Sequence, residues 1–357
     1  MSQRWLFLAA RNFGDALISA GLVARVAASF PKDRIEVWTR PQFVDLFRET
    51  GGAAEFHVSQ FPVGTRKNFG LVEAVRLVVT IGRLRRRRFD VVVNDVGDFR
   101  ECALVRTLGA RRQAAPIWPR RHPALKVFRR WGTHRLVNWP LEVPADVVNI
   151  YDVREFVARS LGCPEQTESR VPRRPKFGRV GLHPFATKDC RQWPWDSWRN
   201  LARQLASTGQ TVVAFGSVQE RAVLEREFDG EPVTISSGSL VEFLRALDGL
   251  DVLVALDSFG IHAASARRTP AVHINGASNH LLWRPPEVRG LVNGGQCPHH
   301  PCYCRPKCPA PGIERYACIH GISWQSVLAE VRSVLAAIPG VPGENSAGQD
   351  PSVLNVP

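Results

Sequence analysis

Between Asp251 and Asn279 the chain reads DVLVALDSFGIHAASARRTPAVHINGASN, a pattern with few structural solutions. The apolar run Val252 to Leu256 reads as a strand buried on both faces. Asp257-Ser258 ends it and suits the cap of a short helix beginning near Phe259. Arg267 and Arg268 fall in the last turn of that helix, Pro270 stops it, and Ala271 to Ile274 reads as the next buried strand. Such a β-α-β unit belongs to a parallel sheet with helices on its faces. Its polar residues gather at the strand's carboxyl end, the edge where open α/β sheets bind ligands. The free N–H groups that open the following helix are a ready phosphate site.

The same alternation runs through the rest of the chain. Arg4 to Ala10 reads as a first strand, Arg11 to Asp15 as a turn that Gly14 permits, and Ala16 to Ser29 as a helix. Further strands are expected at Ile35 to Thr39, Glu55 to Ser59, Phe89 to Asn94 and Ala114 to Ile117. Helices at Pro41 to Thr50, Leu71 to Arg86 and within Asp95 to Leu108 alternate with them. A helix over Val147 to Leu161 closes a first domain, residues 1–163. Residues 164–178, rich in Pro, Arg and Glu and without periodicity, read as a linker. A second alternation fills residues 179–338. Its strands are Arg179 to His183, Thr211 to Phe215 and Pro232 to Ile235, then the Asp251 unit, and Ser323 to Ala337 is its last helix. Residues 339–357, rich in Pro, Gly, Ser and Asn, read as disordered. The expected architecture is α/β: two Rossmann-like, doubly wound domains facing a central cleft.

A chain of 357 residues is comfortable as two domains, and 44% hydrophobic with 22% charged residues marks it as globular. No apolar run approaches the ~18 residues of a membrane-spanning helix. Trp5 to Ala10 is too short for a signal peptide and soon meets Asp15, so the expected location is the cytoplasm. The net charge of +14 favours an anionic partner: a nucleotide, a nucleic acid or an acidic membrane surface. Arg85 to Arg88 end a helix, where cations complement the dipole. Arg111 to Trp139 mixes arginines with Trp118, Phe128, Trp131 and Trp139. That mixture suits a membrane-interface glycolipid or a single strand of nucleic acid, and equally a solvated loop with packed tryptophans.

The chain has no G-x-G-x-x-G and no Walker loop, and no neighbouring carboxylates at a strand end to hold a magnesium-bound sugar nucleotide. Asp15 stands at a helix start, where a carboxylate is stabilised by the dipole; it is either a cap or a catalytic group. His183 reads as a packed strand-end histidine, and His262 as either a packed ring or a ligand-binding one.

Three segments, taken in order, resemble the motifs of glycosyltransferase family 9, the heptosyltransferases. RNFGDALISAGLV (Arg11 to Val23) is similar to the family's R-x-x-x-G-D opening. LHPFATKDCRQWPWDSWRNLARQL (Leu182 to Leu205) is similar to its P-G-A-S-x-x-K-x-W-P segment. LDSFGIHAASARRTPAVHINGASN is similar to its N-D-S-G-P-M-H-x-A-A-A stretch. The resemblance covers residues 4 to 337 and implies a GT-B fold with inverting, metal-independent sugar transfer. The second domain would bind a nucleotide sugar, with ADP-heptose favoured, and the first would present the acceptor. Asp15 matches the catalytic aspartate and would act as general base. Thr187, Lys188, Arg191, Ser258, Gly260 and His262 would hold the donor's phosphates, Asp257 its sugar hydroxyls and Glu220 its ribose. Arg11, Asn12, Arg120 and Arg121 are the candidate acceptor contacts. Three positions depart from the pattern: Phe259 for a glycine, Arg191 for a lysine, and Gly21 for a proline.

Cys297, Cys302, Cys304, Cys308 and Cys318 crowd one loop, 297–318, with four, one, three and nine residues between them. They suit a structural zinc or iron, or reduced thiols in a surface loop. Cys-bound iron also marks the autotransporter heptosyltransferases, which this family resembles and which glycosylate protein. The acceptor is therefore expected to be an anionic glycolipid such as lipopolysaccharide core, met at the inner membrane surface, or else a protein. A nucleic-acid-binding protein, the less expected partner class, and a silent nucleotide-sugar binder are the rival readings.

Overall fold

The computed structural model describes residues 2–63, 69–122, 133–165, 178–285, 288–292, 297–304, 307–310, 312 and 315–338. Most of the linker expected at 164–178, the whole tail expected at 339–357, and Phe128 and Trp131 lie outside these residues.

The first domain is built on six parallel strands: β1 (Arg4–Ala9), β2 (Arg34–Thr39), β3 (Glu55–Val58), β4 (Val91–Val93), β5 (Arg112–Ile117) and β6 (Trp139–Glu142). They lie in the order β3-β2-β1-β4-β5-β6. The helices are α1 (Phe13–Ser29), α2 (Val44–Thr50), α3 (Leu71–Arg86), α4 (Phe99–Thr107), α5 (Thr133–Leu136) and α6 (Ile150–Ser160). Strand β1 shows how both faces are filled. Trp5 and Phe7 join the core under α1, while Leu6 and Leu8 meet Leu77 and Leu84 of α3 on the opposite face.

The second domain repeats the plan. Strands β7 (Arg179–His183), β8 (Thr211–Ser217), β9 (Thr234–Gly238), β10 (Val252–Leu256), β11 (Ala271–Asn275) and β12 (Arg289–Val292) run parallel in the order β12-β11-β10-β7-β8-β9. They alternate with α7 (Trp195–Ser207), α8 (Arg221–Glu227), α9 (Leu240–Leu247), α10 (Phe259–Ala266) and α11 (His280–Trp283), and α12 (Ala317–His320) and α13 (Trp324–Ala336) follow. Both sheets reverse strand order beside a central strand, β1 or β7, as doubly wound sheets do. No helix of the described residues is long and apolar enough to cross a membrane.

Several boundaries differ from the sequence expectation. Helix α1 begins at Phe13, because Asn12 takes the extended cap conformation, so Gly14 and Asp15 lie in its first turn rather than in a preceding loop. Strand β9 begins at Thr234, not Pro232, with Thr234 opposite Val213; a proline has no N–H for the ladder. Pro41–Phe43 form a 3-10 turn before α2. Strands β6 and β12 were not expected: both are four-residue edge strands, and neither has the apolar run of a central one.

Candidate active site

The two domains meet where α1 and α10 start, each following the carboxyl end of a central strand, β1 or β10. One hydrophobic cluster continues from α1 into the second domain, taking in Leu244, Leu247 and Ile261. The contact at its rim is close. A β-carbon on Gly14 would lie 2.9 Å from Cδ2 of His262, so only glycine lets α10 sit here. Tyr151 on α6 shares a 2.7 Å hydrogen bond with Nδ1 of the same histidine. Burial lowers the pKa of His262, against the pull of Asp257 and Asp15, so the ring is neutral at neutral pH. Asp15, partly exposed on α1, is thus within electrostatic reach of His262.

The second wall is organised by Asp257, which is buried at the end of β10. Arg191, from the 3-10 turn Asp189–Arg191, places Nε 3.4 Å from the Asp257 carboxylate and donates from Nη1 to its carbonyl at 3.2 Å. His273 on β11 lies 3.8 Å away on the other side. Burial raises the Asp257 pKa, but Arg191 and then His273 outweigh it, and the carboxylate is held below its usual range. Burial pushes His273 down to about 4.

The third motif has its glycine at Gly260, one residue after the family's position. A β-carbon there would lie 2.9 Å from Cγ and Nδ1 of His183, so the helix start can pack on that ring only at a glycine. Ser258 Oγ lies 3.5 Å from the same imidazole, which burial takes down to about 4. Phe259, in the family's glycine position, bridges the domains instead. Its ring lies 5.9 Å from Phe13 of α1 and 6.1 Å from Phe243 of α9.

The remaining expected residues divide. Thr187 is exposed in the loop after β7, and Arg120 and Arg121 are exposed beyond the carboxyl end of β5. Glu220 folds back on its own turn, its Oε2 accepting from the Ser217 N–H at 2.7 Å and hydroxyl at 2.8 Å. Lys188 donates to the carbonyls of Tyr303 and Cys304 at 2.9 and 2.8 Å. Arg11, expected as an acceptor contact, is turned toward the first domain's interior. It is buried, 2.8 Å from Asp98 and 2.7 Å from Glu101 of α4, beside a motif whose Asn12 is exposed. Burial lowers the Arg11 pKa, yet Glu101, Asp15 and Asp98 raise it overall. Cys304 corrects the expected ligand set, because it is disulfide-bonded to Cys190. Cys297, Cys302, Cys308 and Cys318 remain thiols.

Tyr151 and His273 were not singled out from the sequence. A histidine inside the apolar strand AVHIN was a usable signal, since a buried polar group needs a partner. Tyr151 carries no such signal.

Two parallel-sheet α/β domains that join at their carboxyl edges make up the GT-B fold. The sequence model of glycosyltransferase family 9 (heptosyltransferase) matches residues 80–311. The chain belongs to that family, and its activity is that of a heptosyltransferase-like glycosyltransferase. It is 23% identical over 296 residues to lipopolysaccharide heptosyltransferase 3 of Escherichia coli (strain K12), covering 77% of this chain and 83% of the relative. Among solved structures it is similar to E. coli heptosyltransferase WaaC with ADP-2-deoxy-2-fluoro heptose, with a TM-score of 0.69 and 17% identity over 92% of this chain and 99% of that one. E. coli ADP-heptose lps heptosyltransferase II gives 0.65 and 18%, over 93% and 98%. The iron-containing dodecameric glycosyltransferase TibC of enterotoxigenic E. coli gives 0.51 and 13%, over 94% and 77%.

Proposed function

We propose that this chain transfers heptose from ADP-heptose to a hydroxyl of an anionic glycolipid such as the lipopolysaccharide core, with inversion. The observation that carries the reading is the convergence of two helix starts. Gly14, one residue before Asp15, touches His262 of α10, and Arg191 is held at Asp257 beside it. The donor's diphosphate would lie on the N–H groups that open α10, with Arg191 supplying positive charge as the bond to the anomeric carbon breaks. Asp15, on the facing wall, would take the proton from the acceptor hydroxyl as its oxygen attacks. The names of the relatives support the donor and acceptor classes: WaaC is solved with an ADP-heptose analogue, and the curated relative is a lipopolysaccharide heptosyltransferase. Exposed Arg120 and Arg121, at the same edge, suit acidic acceptor groups.

The test pairs donor binding with turnover. An ADP-sugar at ~100 times its dissociation constant should stabilise the protein by about 2.7 kcal/mol. Asp15→Ala should keep that thermal shift and lose roughly 10²–10⁴-fold in turnover. Loss of the shift in this variant would make Asp15 structural. A shift with UDP- or GDP-sugars alone would change the donor.

A structural metal belongs to the same proposal. Cys318 lies within electrostatic reach of the other three free thiols of the Cys-rich loop: burial first, then Cys297, Cys302 and Cys308, push it up to about 11. The Cys304 N–H points at Cys302 Sγ at 3.4 Å, the kind of contact that stabilises a thiolate ligand. The donor set of four thiolates fits zinc or iron in kind, although among the described residues no three of these sulfurs lie within 4.8 Å of one another. Elemental analysis of the purified chain should find about one metal ion per chain, lost in Cys308→Ser. A metal-free protein with a wild-type melting temperature would refute this part. A protein acceptor is the second reading, and it rests on the similarity to iron-containing TibC.

A further inference from the structure

Helix α3 carries an apolar face that is exposed among the described residues. Leu77 and Leu84 turn inward to the core with Phe89 and Val92. At ~100° per residue, Leu71, Val72, Val75, Val78 and Val79 then occupy an outward arc of roughly 120°. Leu71 is 82% exposed and Val78 67%. Arginines frame this stripe: Arg85 on one flank, Arg76 and Arg83 on the other, and Arg86 at its end, all exposed. The only carboxylate of the helix, Glu73, lies toward the inner side, where Oε2 accepts from the Gly70 N–H at 3.4 Å. The outer face is therefore apolar and framed by arginines, of which Arg76 lies 3.8 Å from Glu73, on a protein of net charge +14.

The helix is also held firmly. Arg87, just past its last turn, donates to the buried Glu36 at 3.0 Å and pairs with Glu55, which ties the end of the helix to β2 and β3. Its apolar end starts on the carboxyl side of the sheet, beyond β3, the side on which Asp15 lies.

We propose that α3 is a membrane-docking helix that rests on an anionic phospholipid surface. A rigid amphipathic helix with valine and leucine on one face and flanking arginines binds in the plane of the bilayer interface. There the apolar stripe enters the acyl boundary and the guanidinium groups meet lipid phosphates. A neutral partner would leave the arginines unmatched, and a purely polar one would leave the valines in water. This docking goes beyond the donor and acceptor assignments, because it needs no sugar and no glycolipid.

Flotation of the full chain with vesicles of phosphatidylethanolamine and phosphatidylglycerol at 3:1 tests it, with phosphatidylcholine vesicles as the neutral comparison. The wild type should float with the anionic vesicles and stay behind with the neutral ones. Val75→Ser with Val79→Ser should abolish flotation while circular dichroism and ADP binding remain unchanged. Each arginine removed by Arg83→Gln or Arg86→Gln should weaken binding roughly five-fold. Three results would overturn the proposal. One is wild-type protein that ignores anionic vesicles. Another is flotation that survives the valine changes but is lost in Arg120→Gln with Arg121→Gln. The third is a concentration-dependent dimer dissolved by the valine changes, which would mean that a second copy covers the stripe.

Discussion

Glu101 offers a sharp test of the electrostatics behind Asp15. It lies in the first turn of α4, wholly buried, with Oε1 2.7 Å from Arg11 Nε. Burial raises its pKa, Arg11 opposes, and Asp98, Asp15 and Asp95 add to the rise; the result is about 7 against an ordinary 4.5. Between those two values the native carboxyl keeps a proton that the unfolded chain has lost. Its stabilising contribution is therefore complete below pH 4.5 and gone above pH 7. The difference of about 2.5, at 1.36 kcal/mol for each pH unit, is worth about 3 kcal/mol. Glu101→Gln keeps the shape and removes the titration. Urea unfolding followed by tryptophan emission at pH 4 and at pH 8 should show the variant gaining about 3 kcal/mol on the wild type across that interval. Parallel profiles for the two proteins would refute the reasoning, because they would mean that Arg11 fully offsets the cost of burying the charge.

Tyr151→Phe removes the hydroxyl that holds His262 at 2.7 Å. With a net hydrogen-bond value of about 1 kcal/mol, kcat/KM for the sugar nucleotide should fall roughly five-fold with the fold intact. Unchanged kinetics would show that packing against Gly14 alone sets the ring. The vesicle, donor-binding and metal experiments described above complete the set.

How much of this could be read from the chain depends on how local each feature is. The β10–α10–β11 unit was legible because its strands are buried on both faces, so their apolar runs are continuous. The start of α1 was not, because Asn12 caps it through backbone conformation, without a side-chain hydrogen bond to mark it. Residue identity at the site was legible, but orientation was not. Arg11 stands four residues before Asp15, yet its partners Asp98 and Glu101 are some ninety residues away and pull it inward. Lys188 is turned in the same way by carbonyls more than a hundred residues on. Phe259 departs from the family's glycine, and the structure gives it a place between Phe13 and Phe243. In the basic stretch around Trp118 the sequence left open whether the ring packs or binds: Trp118 is buried, its indole N–H donating to the Val96 carbonyl at 2.8 Å, while five of the exposed large apolar residues are gathered on α3, a helix the sequence reading did not single out.

The contact of His262 with Gly14 also bears on the order in which the protein forms. Each sheet can close on its own, since all its ladder pairs come from one half of the chain. The ring that joins α10 to α1 can find its seat only after both halves are complete, 248 positions apart in the chain. Secondary structure and tryptophan burial therefore precede the site itself, and docking of two finished halves is the step that creates it. A nascent chain emerging from the ribosome carries Asp15 early and remains without a complete site until its second half has folded against the first.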